Sequence, residues 1–488
     1  MKYLDKINNP KDLKKIPVGE LAEVCGELRK YIIDTINQIG GHLAPTLGTI
    51  ELTTAIHYVF DAPKDKIVWD TGHQAYAHKV LTGRFSEFPT IRKYKGLSGF
   101  LKRSESEYDI FGAGHASTSI SAALGIASAR NLNDDDYKVV SIIGDGALSG
   151  GLAFEALNNA GNVRKQLLVI VNDNDMSISP NLGAFRNYLV KIATNKKYNQ
   201  IRKWVYRSIK RFPSKFFVNI LRKTEASAKK FFFPTTIFED LGFRYFGPID
   251  GHNIEELIDV LEKIKDLDKP VVLHTITKKG KGLDYAEDDP VKFHGVKEKK
   301  NTSKEKSSIP IYQNAFGEIV CDLAENNENI VTITAAMKEG TGLVNFSKKF
   351  PNRFFDVGIA EGHAVTFSGG LSVNNKIPIV AIYSTFLQRA FDHIIHDISL
   401  QKLPVIFCLD RSGLVGEDGA THHGVLDISY LRCIQNIIVT APKDGNELRD
   451  LIYTATKNKN APFTIRYPKE ECINFENQDA KIIEIGSW

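Results

Sequence analysis

Two polar segments in the first half of the chain carry the residues best suited to binding a metal ion. The segments GDGALSGG (residues 144–151) and NDNDMSIS (residues 172–179) each follow a short apolar run. Asp145 offers a carboxylate at a glycine-rich turn, and Asn174 offers an amide carbonyl one strand–helix–strand unit later. With a main-chain carbonyl, for which Met176 is the candidate, these oxygens suit Mg²⁺, which also bridges readily to phosphate. A Gly-Asp-Gly turn alone is equally compatible with an ordinary strand end, so the prediction depends on the pair.

The elements that must position these residues are short Val/Ile/Leu runs that end in Gly, Asp or Asn. Continuous apolar runs of this length predict strands that are buried on both faces. Helical patterns lie between them, as in residues 119–132 and 253–267, so the sequence predicts an α/β fold with mostly parallel sheets flanked by helices. Ligands of such folds collect beyond the carboxyl ends of the strands. The predicted strands are at residues 138–146, 166–174, 269–277, 377–386, 403–411 and 436–442.

A polar, lysine-rich stretch over residues 297–310 has the composition of a linker. It predicts a first domain over residues 1–296, which contains the metal motif, and a second domain over residues 311–477. The last residues, 478–488, include the run KIIEIGSW, which begins to look like another strand, so we interpret them as the start of a further domain. The length of 488 residues is ample for two large cores.

The positive charge of the chain is concentrated in one segment. The net charge is +5, yet residues 183–234 hold fourteen lysines and arginines against one acid, Glu225. Such a segment could bind nucleic acid or a membrane surface. We favour a mobile, partly helical flap over a cleft that receives small anionic substrates, with neither nucleic acid nor membrane as a partner.

The cysteines and the N-terminus indicate a protein of the cytoplasm. The five cysteines are far apart and form no Cys-x-x-Cys pair, which argues against a disulfide framework or a zinc site. The N-terminal sequence MKYLDKINNPKDLKK lacks the apolar core of a signal peptide. No apolar run approaches the roughly 18 residues of a membrane span.

Longer motifs extend in a fixed order from about Asp34 to Pro468, which is nearly the whole chain. In this order they resemble the 1-deoxy-D-xylulose-5-phosphate synthases, relatives of transketolase. General transketolases share the metal motif and a glutamate like Glu361, but they do not usually share STFLQRA or GxVGxDGxTHxG. Besides the metal motif, the matching segments are GGHLAPTLGTIELT (40–53), WDTGHQAYAHKVLTGR (69–84), SEYDIFGAGHASTSIS (106–121), GPIDGHN (247–253), TKKGKG (277–282), DPVKFHG (289–295), IAEGHAV (359–365), IYSTFLQRAFD (382–392), DRSGLVGEDGATHHG (410–424) and TIRYP (464–468).

The resemblance implies a homodimeric transferase with two thiamine-diphosphate-binding-type domains, one binding the diphosphate and one the pyrimidine. The implied cofactors are thiamine diphosphate and Mg²⁺. Such enzymes decarboxylate pyruvate on the cofactor and add the two-carbon unit to D-glyceraldehyde 3-phosphate. The product, 1-deoxy-D-xylulose 5-phosphate, feeds isoprenoid precursors and, in bacteria, thiamine and pyridoxal synthesis.

The resemblance also implies a role for individual residues. Glu361 is expected to hydrogen-bond the aminopyrimidine ring of the cofactor, which calls for a buried carboxyl with a tuned pKa, and Phe386 to stack on that ring. Arg411 and Arg466 are expected to clamp the acceptor phosphate, because a guanidinium fork matches phosphate geometry. The expected catalytic residues are His42, His73, His422 and Glu361. The other expected contacts to the cofactor are His73, Gly114, His115, Ala116, Gly146, Ala147, Asn174 and Leu283. Those to the substrates are Tyr383, Arg389, Asp418 and His294, beside the two arginines.

Four positions and the end of the chain depart from the family pattern. Pro45 and Thr46 replace a small polar run, Gly362 follows Glu361 where glutamine is usual, and Leu283 stands where an aromatic residue is common. The third, C-terminal domain of the family would begin where this chain ends. Two alternatives therefore stay open. One is a related carboligase with a different acceptor, and the other is a catalytically weak regulatory or binding paralogue that needs a separate chain with the C-terminal domain.

Overall fold

A computed structural model of the protein describes residues 1–174, 184–194, 236–299, 309–476 and 478–486. The described strands are β1 (Gly41–His42), β2 (Lys66–Trp69), β3 (Val139–Gly144), β4 (Leu168–Asp173), β5 (Arg244–Asp250), β6 (Val271–Ile276), β7 (Gly295–Val296), β8 (Ile330–Thr334), β9 (Phe354–Asp356), β10 (Ile377–Tyr383), β11 (Ile406–Asp410), β12 (Ile438–Thr440) and β13 (Phe463–Arg466). They form a five-stranded sheet, a six-stranded sheet and one short pair, β1 with β7.

The first sheet has the strand order β2-β3-β4-β6-β5, and every neighbouring pair is parallel. In the register of β3 against β4, Gly144 pairs with Asn172. Because the two strands end side by side, the segments that follow them begin at the same edge of the sheet. Asp145 and Asn174 therefore start from neighbouring strand ends, as the sequence pattern predicts.

The second sheet has the order β12-β13-β11-β10-β8-β9 and is also parallel throughout. Tyr383 at the end of β10 pairs with Asp410 at the end of β11. The segments that follow these two strands, residues 384–393 and 411–424, contain the longest matched motifs of this half. The antiparallel pair β1–β7 sets His42 opposite Gly295, next to His294.

Helices cover both faces of each sheet. The described α-helices of five or more residues are α1 (Leu21–Ile39), α2 (Ile50–Val59), α3 (Ser119–Leu132), α4 (Gly151–Val163), α5 (Ala184–Thr194), α6 (Ile254–Ile264), α7 (Asp284–Asp288), α8 (Tyr312–Glu325), α9 (Val344–Lys349), α10 (Glu361–Val373), α11 (Asp427–Leu431) and α12 (Gly445–Lys457). The shorter α-helical turns are Pro10–Leu13, Ala44–Leu47, Tyr76–Lys79, Ile237–Asp240, Ser384–Leu387 and Phe391–His393.

The apolar runs of the strands supply both faces of each core. In β2, Ile67 packs into the cluster with α1, α2 and α6, whereas its neighbour Val68 packs into the cluster with α3 and α4. Adjacent residues of a strand point to opposite faces, so a sheet covered on both sides needs apolar residues at every position. Asn253 caps α6 by accepting a hydrogen bond from the Glu256 amide.

The predicted α/β fold with parallel sheets is confirmed, and each of the six predicted strands is present. The strands β1, β2, β5, β7, β8, β9 and β13 were not predicted. The prediction of a strand in KIIEIGSW is wrong for its described part, because residues 481–486 form only irregular backbone and a turn. Most of the linker and the basic segment, apart from α5, lies outside the described residues.

Candidate active site

One cavity of about 300 Å³ lies between the two halves of the chain. Its walls come from the carboxyl ends of β3 and β4 in the first sheet and of β10 and β11 in the second. The predicted site residues that line it are His42, His73, Gly114, Ala116, Asp145, Gly146, Ala147, Asn174, His294, Glu361, Tyr383, Phe386, Arg389, Arg411, Asp418 and His422. Side chains far apart in the sequence thus meet in one place.

At one end of the cavity lie the predicted metal ligands. Asp145 follows β3 directly, and its amide donates to the Asn172 carbonyl at 3.2 Å. Burial and, second, the negative charge of Asp173 raise the pKa of the Asp145 carboxyl to about 7. Burial lowers the pKa of Lys279 to about 8 although the charge of Asp145 opposes that shift. Met176, the third predicted ligand, lies outside the described residues.

The second acid of the site, Glu361, is the first residue of α10. It is buried, with 3% of its side chain exposed, and burial raises the pKa of its carboxyl. Arg389 lies beside it, with 3.3 Å between Nη1 and Oε2, and opposes the rise. The same guanidinium donates through Nη2 to the Ala116 carbonyl of the first half at 2.6 Å. Arg389 therefore links the Glu361 helix to the opposite wall of the cavity.

Four histidines and two phenylalanines occupy the middle of the cavity. The ring centroids of His42, His73 and His294 are 5.2–5.8 Å apart. Burial lowers the pKa of all four imidazoles, that of His73 to about 3 and that of His422 to about 4. Because these values lie below neutrality, the four rings are uncharged at pH 7 and can each both donate and accept a hydrogen bond.

The far end of the cavity is basic. The guanidinium of Arg411 lies 3.8 Å from the centroid of the Tyr383 ring and donates to the Gly340 carbonyl at 2.9 Å. Lys469 also lines the cavity. Asp418 forms an ion pair with Arg92 of the first half at 3.2 Å. This end therefore offers two cationic side chains and a carboxylate to a polar ligand.

Three predicted site residues do not line the cavity. Arg466, a predicted phosphate clamp, forms an ion pair with the buried Asp427, with Nε to Oδ2 at 3.0 Å, and its role in phosphate binding stays a prediction. Leu283 is partly buried and packs against the core of the first half, and its contact with the cofactor stays a prediction. His115 lies just behind the wall, where its Nε2 is 2.8 Å from the Thr421 carbonyl and its ring contacts Phe386 edge-on.

Other lining residues were not predicted. Lys279 and Gln74 lie inside motifs that matched the family, so their signal was present in TKKGKG and GHQA. Lys469 follows TIRYP directly, three positions after Arg466. Nothing in the local pattern indicates Phe100. The unpredicted lining residues are Pro45, Thr71, Gln74, Phe100, Gly144, Asn172, Lys279, Ala335, Ala336, Met337, Ile359 and Lys469.

Comparison with known proteins identifies the family. Residues 4–277 match the N-terminal family of 1-deoxy-D-xylulose-5-phosphate synthase, and residues 310–473 match the transketolase pyrimidine-binding domain. The chain belongs to the 1-deoxy-D-xylulose-5-phosphate synthase family. It is 52% identical over 469 residues to such a synthase from Thermomicrobium roseum. The alignment covers 96% of this chain and 74% of the relative. The synthase of Carboxydothermus hydrogenoformans is 51% identical over 488 residues, covering 99% of this chain and 78% of the relative.

Enzymes of this family depend on thiamine diphosphate, normally with Mg²⁺, and the cavity fits that pair. Asp145 and Asp173 are both buried, and the charge of Asp173 raises the pKa of Asp145, a repulsion that a divalent cation would relieve. Within the described ranges, no three His, Cys, Asp or Glu side chains form a metal cluster. Gln74 Oε1 and His294 Nδ1 also find no hydrogen-bond partner in the described part of the chain.

The small residues of the cavity wall have a steric reason. A Cβ atom on Gly114 would lie 2.6 Å from Cβ of Thr421 in the other half, and the φ of this glycine is +149°. A side chain there would therefore separate the two halves.

Over the described residues, no helix has the length and hydrophobicity that a membrane crossing requires.

Proposed function

We propose that this chain condenses pyruvate with D-glyceraldehyde 3-phosphate to give 1-deoxy-D-xylulose 5-phosphate and CO₂, with thiamine diphosphate and Mg²⁺ as cofactors. The observation that carries the proposal is the single cavity in which Asp145 and Asn174 of the first half face Glu361 of the second. A module that only binds a ligand has no need of this combination. Family membership, at 51–52% identity to named synthases, supports the same reaction.

The proposed cofactor-binding residues divide between the two halves. Asp145 and Asn174 would hold Mg²⁺, and Gly146 and Ala147 would leave room for the diphosphate. When bound, thiamine diphosphate supplies a carbon nucleophile and an electron sink for decarboxylation. Glu361 would hold a proton against the pyrimidine ring, for which its raised pKa and buried position are suited.

We propose that His42, His73 and His422 exchange hydrogen bonds with the oxygen atoms of the two substrates. Their lowered pKa values keep them neutral at pH 7, so each ring has one donor and one acceptor nitrogen. A neutral imidazole can stabilise a developing alkoxide by donating a hydrogen bond through its N–H group, while its other nitrogen accepts one. His294 would complete this polar wall, opposite His42.

The acceptor phosphate is proposed to bind Arg411 and Lys469 rather than Arg466. Arg411 and Lys469 line the cavity and Arg466 does not. Each arginine has a buried aspartate partner, Asp410 for Arg411 and Asp427 for Arg466, so position decides between them. A guanidinium and an ammonium group together suit a phosphate dianion. The Tyr383 hydroxyl would donate to the aldehyde oxygen of the same substrate, and the Asp418 carboxylate would accept from its hydroxyl group.

The assembly of the protein also belongs to this proposal. We propose a homodimer in the cytoplasm, and a second chain that carries the remaining part of the relatives' length as an additional partner. Relatives extend beyond the aligned region, since the chain covers 74–78% of them. Light scattering would give the oligomeric state, and addition of the separately expressed part would show whether it binds and raises activity.

One assay tests the reaction. Purified protein is incubated with Mg²⁺, thiamine diphosphate, pyruvate and D-glyceraldehyde 3-phosphate, and CO₂ and 1-deoxy-D-xylulose 5-phosphate are followed together. The proposal predicts equal amounts of both products. Release of CO₂ without that sugar phosphate would favour a carboligase with another acceptor. No turnover, even with the separately expressed C-terminal part, would contradict the proposal and favour a regulatory paralogue.

A further inference from the structure

Phe100 lies between two histidines that come from different halves of the chain. Its ring stacks on His422, with centroids 4.7 Å apart and an interplanar angle of 15°. It also contacts His42, with centroids 5.5 Å apart and an angle of 59°. The side chain is buried, lines the cavity and offers no group that could react. Its role must therefore lie in what it does to the rings beside it.

The backbone on both sides of Phe100 is held by carboxylates. The Ser98 amide donates to Glu105 Oε2 at 2.7 Å, and the Lys102 amide donates to Asp109 Oδ2 at 2.9 Å. Both bonds lie two residues from Phe100, one before it and one after it. This arrangement clamps the short segment that carries the ring.

The two carboxylates are themselves fixed in a buried ionic network. Arg84 donates to both oxygens of Asp109 at 2.9 Å and to Glu105 at 2.8 Å. The fully buried Lys79 pairs with Glu105, and His78 Nε2 lies 3.2 Å from Asp109. Hydrogen bonds from His78 and Arg84 outweigh burial and hold the pKa of Asp109 well below its usual range, so it stays ionised.

We propose that Phe100 is a positioning residue for His422: its clamped ring fixes the plane of the imidazole and keeps water from its face. This proposal depends on the proposed function at one point, namely that His422 belongs to the reaction site. Phe386 and His115 meet the His422 ring at an angle, with centroids at 5.4 and 6.4 Å, whereas Phe100 stacks parallel to its plane. The Thr421 hydroxyl lies 3.0 Å from His422 Nδ1. The carboxylates Glu105 and Asp109 act one step further away, through Phe100.

Removal of the stacked ring has a measurable electrostatic consequence. Burial is the largest cause that lowers the pKa of His422 to about 4. Asp418 opposes the shift, whereas His115, Arg92 and Arg411 support it. The imidazoles of His42 and His73 also interact electrostatically with His422. Water that reaches the imidazole stabilises its charged form, so the pKa moves up toward 6.5.

The test compares Phe100→Leu with Phe100→Tyr and with Phe111→Leu. Phe100→Leu removes the ring and Phe100→Tyr keeps it. Phe111→Leu removes a ring that is 41% exposed. Histidine labelled with ¹³C at Cε1 gives the titration of His422 in each protein, with His422→Gln to assign the signal. Because this readout needs no turnover, its result stands whether or not the proposed reaction is observed.

We expect His422 in Phe100→Leu to titrate at least one pH unit higher than in the parent, and Phe100→Tyr and Phe111→Leu to match the parent. In the synthase assay, Phe100→Leu should lower kcat about tenfold to a hundredfold, as a displaced catalytic group does. Glu105→Gln should move the His422 titration in the same direction by less. An unchanged titration in soluble Phe100→Leu would overturn the proposal. Should that variant not fold, an unchanged titration in Glu105→Gln would overturn it equally.

Discussion

Asp145 and Glu361 face the same cavity from opposite halves, and burial raises the pKa of both carboxyl groups. The charged neighbours that shift these two pKa values most differ in sign. Asp173 adds to the rise at Asp145, whereas Arg389 opposes it at Glu361. Two acids close together in a dry site suit a divalent cation, while a single acid beside an arginine can hold a proton or release it. Burial alone therefore does not assign a role to a carboxyl group; the sign of the neighbouring charge does.

The largest effect should come from the metal end. Asp145→Asn removes one carboxylate from the pair, so we expect Mg²⁺-dependent binding of thiamine diphosphate to weaken by more than a hundredfold, consistent with loss of a metal ligand. Isothermal titration of the cofactor at fixed Mg²⁺ measures this. Asp268→Asn, at an exposed position of the same half, is the matched control. Parent-like cofactor affinity in Asp145→Asn would remove the basis for calling this end a metal site.

Glu361→Gln should separate binding from chemistry. The substitution keeps the shape of the side chain but cannot hold and release a proton, so we expect cofactor affinity within a few-fold of the parent. We expect kcat to fall roughly 10²–10⁴-fold, the range for a lost acid–base group. Titration of the cofactor and the synthase assay give the two numbers. Full activity in Glu361→Gln would refute the proposed role and leave the contrast with Asp145 without support.

Arg389→Gln tests the sign of the neighbouring charge. The arginine lowers the pKa of Glu361, so its loss should let that pKa rise further, by roughly 1–3 units for a carboxyl that loses an adjacent arginine. The limb of the kcat–pH profile that depends on Glu361 should therefore move to higher pH. Arg432→Gln, at an exposed position of the same half, should leave the profile in place. A limb that stays fixed in Arg389→Gln would show that the ion pair does not tune Glu361.

The smallest effect concerns the helix that carries Glu361. A Cβ atom on Gly362 would lie 2.9 Å from Cε1 of His393, so Gly362→Ala should lower the unfolding free energy by about 1–3 kcal/mol, as overpacking does. Gly370→Ala is the control in the same helix, because nothing lies within 4 Å of its Cβ position. It should stabilise by about 0.5–1 kcal/mol. Urea unfolding measures the change in unfolding free energy for each variant. In a His393→Ala background, the loss caused by Gly362→Ala should become smaller, whereas the gain from Gly370→Ala should not change.

The parts of the site that follow strands could be predicted, and the parts that depend on loops could not. Apolar runs marked β3, β4, β10 and β11, and parallel topology brings the residues after them together. Arg466 ends the strand β13, but its side chain neutralises Asp427 instead of reaching the cavity. Lys469 lines the cavity and Arg466 does not, and the local sequence does not indicate which of the two side chains points toward the ligand. Phe100 gave no signal, because its position depends on carboxylates that lie five and nine residues further along.

The contacts that join the two halves have a thermodynamic consequence. Arg389 donates a hydrogen bond to the Ala116 carbonyl and Arg92 forms an ion pair with Asp418, so both halves contribute to one interface, the boundary between them. A ligand held at that boundary stabilises the native state of both, by about 2.7 kcal/mol at a hundred times its Kd. Saturation with cofactor should then merge the melting of the two halves into one cooperative transition. The amount of folded protein that survives heating would become a measure of cofactor supply.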